Sequence, residues 1–441
     1  RKTVDEHLHG SNGYYSDCAV LHEPWIAQLG LAIDDPAYFR AYADTLDFER
    51  EHAIGADGRV KSRWAGTPGD AIPGSYDQFG FYEAQWGYLL DSQPSWVINV
   101  AELFDFTADR AWLQRQKSTC EKVLEYLLRR DADRDGLVEM LTSSHREGRG
   151  SDWIDVVWAS HENALVNAQM YWALSLWANL EALLGDEIHA ARYRQSAHQL
   201  KRRFNQTTTE GGFWDPSAQC YAYWRDQDDS IHGTNLVIPV NFSAIGYGLC
   251  DDPARRAAVL DRIEACQTAM MERLFARAAH VIDLAFVSDD MGGQDSLLIS
   301  LDTWDRHFEA RMRRWCDLIH SHGIKVFYHS DGACAELLPR LVEVGIDVLN
   351  PIQHVCPGMD TAGLKARYGD RLSFHGGVDN QHVLAHGSVD DVRAETRRCL
   401  ETLGADGTGY VCCSCHNIQP GTPVENVLAM IETVREARVS A

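Results

Sequence analysis

The side chains of this protein change character near residue 265, and this change constrains the fold more than any other sequence feature. Eleven of the 13 Trp lie between Trp25 and Trp224, whereas eight of the 12 Cys lie from Cys266 onward. Before the change, apolar residues recur at helical spacing, and Gly, Pro, Trp and Asp fill the segments between. After about residue 280, short apolar strands alternate with helices. The sequence therefore predicts two parts with different folds, residues 1–265 and 281–441.

The first part reads as helices joined by long polar loops. Helices are predicted over residues 37–52, 95–106, 110–130, 162–184, 189–204, 237–249 and 254–264, the last able to continue to 279. Repeated helix hairpins with aromatic loops at one end indicate an α/α toroid. About eight helices are present where a six-hairpin toroid needs about twelve, so an incomplete (α/α)6 toroid is expected.

The second part reads as strand followed by helix, five times over. The predicted strands are residues 281–288, 325–329, 347–350, 372–376 and 409–413. This alternation is typical of parallel βα units. A complete (β/α)8 barrel has eight such units and about 250 residues, so a partial barrel of about five units is expected.

Polar residues follow each predicted strand, and in barrels of this kind the catalytic groups lie at the carboxyl ends of the strands. The sequence therefore predicts a site at this edge of the sheet. The candidates for catalysis are Asp290, His329, Asp331 and Asp379, and those for substrate binding are Gln294, Asn350, Gln353 and His416. The alternative is that these residues only form turns.

The charge balance excludes several classes of partner. The chain has 64 acidic and 41 basic residues, a net charge of −23. Such a chain has no general attraction for nucleic acid or for an anionic membrane surface. No apolar run reaches the roughly 18 residues needed to span a bilayer, and no signal peptide is visible. The unevenly spaced cysteines indicate reduced thiols, so a cytoplasmic setting is expected.

Five motifs in the second part point to a known superfamily. They are DDMGGQDSLLIS (289–300), KVFYHSDGA (325–333), GIDVLNPIQ (345–353), FHGGVDNQ (374–381) and CHNIQPGTPVENV (415–427). In this order they resemble the uroporphyrinogen decarboxylase superfamily, including its cobalamin-dependent methyltransferase branch. The resemblance covers about residues 281–438 and implies a (β/α)8 barrel. In the methyltransferase branch it implies a corrinoid partner and a Zn²⁺ held by a His-x-Cys pair and a later Cys.

The zinc pattern is only partly kept. His329 matches the family's His, Asp331 stands where the Cys is expected, and Cys415 falls near the later Cys. These three residues form a candidate mixed zinc site, at which a bound substrate thiol would become a thiolate. The alternative is that His329 and Asp331 hydrogen-bond a substrate without metal. The arginines that hold porphyrin carboxylates in the decarboxylase have no counterpart here, so porphyrinogen decarboxylation is not expected.

The first part combines aromatic and carboxylate residues in its loops, as carbohydrate sites do. Trp86, Trp153 and Trp158 are candidate sugar-binding residues, together with Asn163 at the start of the next predicted helix. The segment GSDWIDVVW (150–158) places two carboxylates three residues apart beside a Trp. Either carboxylate is a candidate general acid or, alternatively, a cap of the following helix.

This part resembles the six-hairpin glycosidases, which include trehalases, processing α-glucosidases and mannosylglycerate-hydrolase-like enzymes. Besides GSDWIDVVW, the motifs are FYEAQWGYLL (81–90), RDADRDGLVE (130–139), NALVNAQMYWAL (163–174) and NLVIPVNFSAIGYGL (235–249), over about residues 20–265. The resemblance implies that Asp155, or else Asp152, is the general acid. The Asp131-x-Asp133-x-Asp135 run imitates a Ca²⁺ loop, but Thr142 stands where such a loop needs Glu, which favours a solvated turn.

Three functions remain open at this point. The chain is a fusion of enzyme-derived parts with glycosidase activity through Asp155; or the barrel part catalyses methyl transfer or decarboxylation of a small molecule; or the fusion is inactive or only binds a ligand. In the third case, unpaired strand edges near Val281 or Tyr410 favour a homo-oligomer.

Overall fold

The computed structural model describes residues 2–4, 7–9, 19–21, 36–64, 71–83, 89–140, 152–154, 159, 161–419 and 421–439. The chain divides into two compact units, Arg1–Ile263 and Glu264–Ala441. Among the described residues, no helix is long and apolar enough to cross a membrane.

The N-terminal unit is mainly helical. Its helices are α1 (Pro36–His52), α2 (Ser92–Thr107), α3 (Arg110–Leu128), α4 (Ala164–Leu184), α5 (Glu187–Phe204) and α6 (Ile238–Gly246). Helix α4 is the centre of the unit and packs against α2, α3, α5 and α6. Gly185 ends α4 in the left-handed region (φ 90°), where glycine is favoured, so that α5 turns back against it as a hairpin.

Short strands occupy parts of the predicted loops. Antiparallel pairing joins Ala19–Val20, Arg63–Trp64 and Phe81–Tyr82 in one sheet and Ile231–His232, Trp224–Arg225 and Glu162–Asn163 in another. Two smaller ladders join Lys2–Val4 to His7–His9 and Trp214–Asp215 to Cys220–Tyr221. Two-residue strands are too short to show a period of two, which is why the sequence did not predict them.

The C-terminal unit contains a five-stranded parallel sheet whose strands follow chain order. The strands are β1 (Leu284–Ser288), β2 (Lys325–His329), β3 (Val348–Asn350), β4 (Ser373–Val378) and β5 (Tyr410–Ser414). This arrangement confirms the predicted parallel sheet and is consistent with a partial α/β barrel. The division between the units falls within helix α7 (Pro253–Ala278), which confirms the long helix predicted there.

The described residues of this unit also form the α-helices α8 (Leu301–His307), α9 (Glu309–Ser321), α10 (Leu338–Val344), α11 (Thr361–Tyr368), α12 (Val383–His386), α13 (Val389–Leu403) and α14 (Val424–Val439). Between β1 and β2 the chain forms two successive helices, α8 and α9, which meet at Phe308. Helix α11 was not predicted, since Gly363 lies in its first turn and weakens the helical signal.

The register of the sheet brings the strand ends together. Ser288 pairs with His329, and His329 pairs with Asn350, so the last residues of β1, β2 and β3 lie side by side. Side chains alternate across the sheet: Tyr328 is buried in the core, while His329 and the neighbouring Phe327 are half-buried on the opposite face. The polar residues after each strand therefore meet at one edge.

Candidate functional site

Asp152 lies in the N-terminal unit within a buried hydrogen-bond network. Its Oδ2 accepts a hydrogen bond from Asn163 Nδ2 at 2.6 Å, and its Oδ1 accepts one from the Ile154 N–H at 2.8 Å. The Tyr223 hydroxyl lies 2.8 Å from Oδ2 and 2.9 Å from Oδ1. The Asp152 side chain is fully buried, and protein donors occupy both of its carboxylate oxygens.

Asn163 connects this network to helix α4. Its Oδ1 accepts hydrogen bonds from the Leu165 and Val166 N–H groups, which makes Asn163 the N-cap of the helix. The predicted capping role of a carboxylate is therefore performed by Asn163, and Asp152 supports the cap from behind. Of the other candidates in this unit, Trp153 is half-buried and its backbone N–H donates to Asp91, while Asp155, Trp86 and Trp158 lie outside the described residues.

Glu162, which is buried, and Glu102, which is half-buried, are carboxylates of this unit with raised pKa values that the sequence analysis does not single out. Burial and the nearby charge of Asp135 raise the pKa of Glu162 to about 8, against the opposing effect of Arg225, whose Nε lies 3.2 Å from the Glu162 carboxylate. Burial and the charge of Asp105 raise the pKa of Glu102 to about 7. A buried acid shows no local sequence signal, since its burial depends on residues distant in the chain.

In the C-terminal unit, two imidazoles and a carboxylate face one another at the carboxyl edge of the sheet. His329 Nε2 lies 3.6 Å from Asp331 Oδ2, and His416 Nε2 lies 3.6 Å from the same oxygen. One ligand atom from each residue fits within 4.8 Å of the other two. Asp290 Oδ1 lies 3.7 Å from His329 Nε2. Burial raises the pKa of Asp331, and the charges of His416 and His329 oppose the rise. We call His329, Asp331 and His416 the strand-end cluster.

A second row of polar side chains lies behind this cluster, on the same face of the sheet. Asn350 Oδ1 lies 2.6 Å from His329 Nδ1, and Asn350 Nδ2 lies 2.8 Å from His375 Nδ1. Cys413 Sγ lies 3.4 Å from His375 Nδ1. Burial lowers the pKa of His375 and raises that of Cys413 to about 11, so both groups are neutral near pH 7. The predicted substrate-binding residue Asn350 thus joins two histidines.

The remaining sequence candidates lie around the cluster but are bound elsewhere. The Cys415 thiol donates to the Ile352 carbonyl at 3.0 Å and does not join His329 and Asp331. Asp379 is buried and accepts hydrogen bonds from the N–H groups of Gln381 and His382. Asp379 therefore organises its own loop.

Gln353 and Gln294 hold the loops after the first three strands together. Gln353 Oε1 accepts from the Gly332 N–H at 2.9 Å, and its Nε2 donates to Gln294 Oε1 at 2.9 Å and to Gln381 Oε1 at 3.0 Å. The two predicted substrate-binding amides are thus bonded to each other. They fix the loop that carries Asp331.

Among the described residues, two other acidic groups have the spacing of a cation site. In one, the Lys117 ammonium lies between Glu181 and Asp186, and a protein cation therefore already occupies it. In the other, Arg203 binds Asp135 at 2.7 Å, while Asp133 accepts a backbone hydrogen bond, which agrees with the solvated turn predicted there.

The strand-end cluster has the donor chemistry of a zinc site. Two imidazole nitrogens and one carboxylate oxygen suit zinc, and three protein ligands leave a fourth position for substrate. Ligand atoms bound to one zinc at tetrahedral angles lie about 3.3 Å apart, close to the 3.6 Å separations seen here. Those separations are too long for hydrogen bonds. The residues present therefore fit a divalent cation.

Comparison with known families decides the class of the N-terminal part. Residues 13–271, more than half of the chain, match the bacterial α-L-rhamnosidase six-hairpin glycosidase domain. The chain belongs to this six-hairpin glycosidase family. A rhamnosidase from Klebsiella oxytoca, solved with rhamnose bound, is 17% identical. The match covers 54% of this chain and 40% of the rhamnosidase chain, with a TM-score of 0.39.

The C-terminal part of this glycosidase-family chain matches a second family. Residues 241–437 match the uroporphyrinogen decarboxylase family. The uroporphyrinogen decarboxylase of Thioalkalivibrio sulfidiphilus is 27% identical over 206 residues, 44% of this chain and 53% of that protein. The chain thus spans about half the length of this curated relative. A methyltransferase from Methanosarcina mazei is 20% identical, with 45% of this chain and 53% of that chain covered and a TM-score of 0.36.

Proposed function

We propose that the C-terminal unit binds one divalent cation of the zinc class at His329, Asp331 and His416 and acts there on a small molecule. The observation that carries this proposal is the approach of two imidazole Nε2 atoms to one carboxylate oxygen at 3.6 Å each. This ligand set departs from the one that the sequence suggested, since His416 replaces Cys415. The reaction class that we favour is transfer of a methyl group to a substrate thiol, with decarboxylation of a small molecule as the alternative.

A bound zinc would supply Lewis-acid chemistry, lowering the pKa of a coordinated substrate thiol so that the thiolate is available as nucleophile. The protein residues fix the geometry around the substrate. Asn350 orients His329, and the Gln353 amide holds the backbone at Gly332, next to Asp331. Phe286 and Phe327, whose rings are 5.7 Å apart, supply an apolar wall beside His329. A corrinoid protein as methyl donor remains part of this proposal.

Metal analysis of the purified full chain tests the site. Metal-free protein is titrated with Zn²⁺, and with Co²⁺ so that the absorption spectrum reports the ligand set. We expect one equivalent to bind to the wild type, and affinity to fall more than about 100-fold in His329→Ala and His416→Ala, since loss of a ligand exceeds loss of an outer hydrogen bond.

Cys415→Ser is the matched control, because Cys415 neighbours His416 in the chain and its thiol faces the Ile352 carbonyl. We expect this variant to bind Co²⁺ like the wild type, without change in any sulfur-to-metal charge-transfer band. If Cys415→Ser loses the metal and His416→Ala keeps it, the proposed ligand set is wrong. If none of the proteins binds metal, the cation site itself is refuted.

As a second candidate function, we propose that the N-terminal unit hydrolyses α-L-rhamnosides, with Asp155 as general acid. Membership of the six-hairpin glycosidase family supports this, and so does the environment of Asp152. A general acid needs an accessible carboxyl group that donates its proton to the glycosidic oxygen. Asp152 is fully buried with both oxygens bonded, so of the two candidates Asp155 is favoured.

Aryl α-L-rhamnosides with good and poor leaving groups test this second function. We expect Asp155→Asn to lower kcat roughly 10²–10⁴-fold on a poor leaving group and much less on a good one, since a good leaving group needs little protonation. Equal rates for wild type and Asp155→Asn on both substrates would eliminate Asp155 as the acid.

A further inference from the structure

Asn350 touches two histidines with opposite ends of one amide. A side-chain amide has an oxygen that only accepts hydrogen bonds and a nitrogen that only donates them. Asn350 Oδ1 faces His329 Nδ1 at 2.6 Å, while Asn350 Nδ2 faces His375 Nδ1 at 2.8 Å. Nδ1 of His329 therefore faces an acceptor, whereas Nδ1 of His375 faces a donor. The two neutral rings must be opposite tautomers.

The contacts fix which ring takes which form. His329 must carry its proton on Nδ1 to donate to the Asn350 oxygen, which leaves the lone pair on Nε2. That Nε2 is the atom facing Asp331 and Asp290. His375 must accept at Nδ1 from the Asn350 amide, so its proton lies on Nε2. Asn350 itself is nearly buried at the end of β3, where its carbonyl accepts the Ser330 N–H at 2.9 Å.

We propose that Asn350 is a positioning residue that holds His329 in the Nδ1–H tautomer and so presents a lone pair to a cation in the strand-end cluster. This inference rests on the proposed metal function, but the tautomer is a property of the metal-free protein. Asn350 thereby has a role distinct from the substrate binding predicted from the sequence. Outer-shell partners of this kind typically change metal affinity about 10–100-fold when removed.

Nitrogen NMR of histidine-labelled, metal-free full-length protein reads the tautomers directly. Spectra are recorded at about pH 8.5, above the ordinary histidine pKa of about 6.5, and the His329 and His375 signals are identified by their loss in His329→Gln and His375→Gln. We expect a protonated Nδ1 in His329 and a protonated Nε2 in His375. The reverse pair, or His329 protonated at Nε2, overturns the proposal whether or not metal binds.

Two variants of Asn350 separate positioning from general support of the fold. Asn350→Leu keeps the volume but removes both hydrogen bonds, and we expect a mixture of His329 tautomers and about 10–100-fold weaker Zn²⁺ binding. Asn350→Asp accepts from both rings, so His329 should keep its Nδ1 proton and near-normal affinity while the His375 proton moves to Nδ1. Asn380→Leu is the control, since Asn380 donates to the Asn417 backbone instead.

Failure of the proposed role of Asn350 can be distinguished from failure of the proposed metal site. Wild-type protein that binds no Zn²⁺ but has the expected tautomers refutes the proposed function and leaves the orienting role of Asn350 in place. Unchanged Zn²⁺ affinity in a folded Asn350→Leu variant overturns the role of Asn350 while the metal site stands. If Asn350→Leu does not fold, Asn350→Asp decides by the tautomer of His375, and an unchanged Nε2 proton there counts against the proposal.

Discussion

Both units contain a cluster of polar side chains built around an aspartate, but the two aspartates differ in what their oxygens contact. In the N-terminal unit, Asp152 is fully buried, and Asn163, Tyr223 and a backbone N–H donate to its oxygens. In the C-terminal unit, Asp331 is about one-third exposed, and imidazole nitrogens stand 3.6 Å away. Protein donors occupy both oxygens of the first carboxylate, whereas the two imidazole nitrogens beside the second are too far away for hydrogen bonds. We infer from this difference a structural role for Asp152, and it is consistent with the ligand role proposed for Asp331.

The largest effect is expected for the pH dependence of glycoside hydrolysis, where the buried Asp152 and the favoured candidate acid Asp155 should differ most. With Asp155 as acid, kcat of the wild type falls above the pKa of that carboxyl group, because the proton for the leaving group is lost. Asp155→Asn should remove this alkaline decline along with roughly 10²–10⁴-fold of kcat on poor leaving groups. A wild-type alkaline limb that survives in Asp155→Asn would assign the acid to another residue.

Alanine variants of Asp152 and Asp331 should differ in how much they lower the free energy of unfolding. Asp152→Ala leaves the buried Asn163 amide and Tyr223 hydroxyl without their acceptor, so we expect a loss of about 2–4 kcal/mol in the free energy of unfolding. Asp331→Ala removes a half-buried carboxylate that lies 3.6 Å from the nitrogens of His329 and His416, and it should change the free energy of unfolding by no more than about 0.5 kcal/mol. Urea unfolding of the full chain followed by Trp fluorescence measures both. A destabilising Asp331→Ala together with a neutral Asp152→Ala would reverse the comparison.

The predictability of these two aspartates from sequence also differs, for a physical reason. Asp331 follows a strand, and the carboxyl edge of a parallel sheet is where polar side chains converge, so its place could be predicted. The environment of Asp152 depends on Tyr223, which is 71 residues away in the chain. Local patterns contain no information on such a contact.

The proposed ligand set could be predicted from the sequence only in part. The strand ends and the family pattern predict His329 and Asp331, but the third group depends on how the chain turns after β5. Cys415 and His416 are neighbours that point to different surroundings: the Cys415 thiol toward the Ile352 carbonyl and the His416 ring toward Asp331. The same limit applies to the fold, where the five parallel strands could be predicted from short apolar runs that alternate with helices, while the two-residue strands of the N-terminal unit could not.

A smaller effect is expected from the buried Glu162 of the N-terminal unit, on the pH dependence of stability. Burial raises the pKa of Glu162 to about 8, whereas an unfolded Glu titrates near its ordinary value of about 4.3. Between these values the folded state holds a proton that the unfolded state lacks, so stability falls as pH rises from about 4.5 to 8. We expect Glu162→Gln to reduce this decline in urea unfolding measured across the same range. An identical slope in both proteins would show that Glu162 does not titrate as proposed.

The central claim is that the strand-end cluster, unlike the buried Asp152 network, is a cation site. Anomalous X-ray scattering at the zinc edge from zinc-loaded crystals of the full chain tests it most directly. The account predicts one peak about 2.0–2.2 Å from His329 Nε2, His416 Nε2 and an Asp331 carboxylate oxygen. A peak bonded to Cys415 Sγ, or the absence of any peak at this edge of the sheet in zinc-saturated protein, would contradict it.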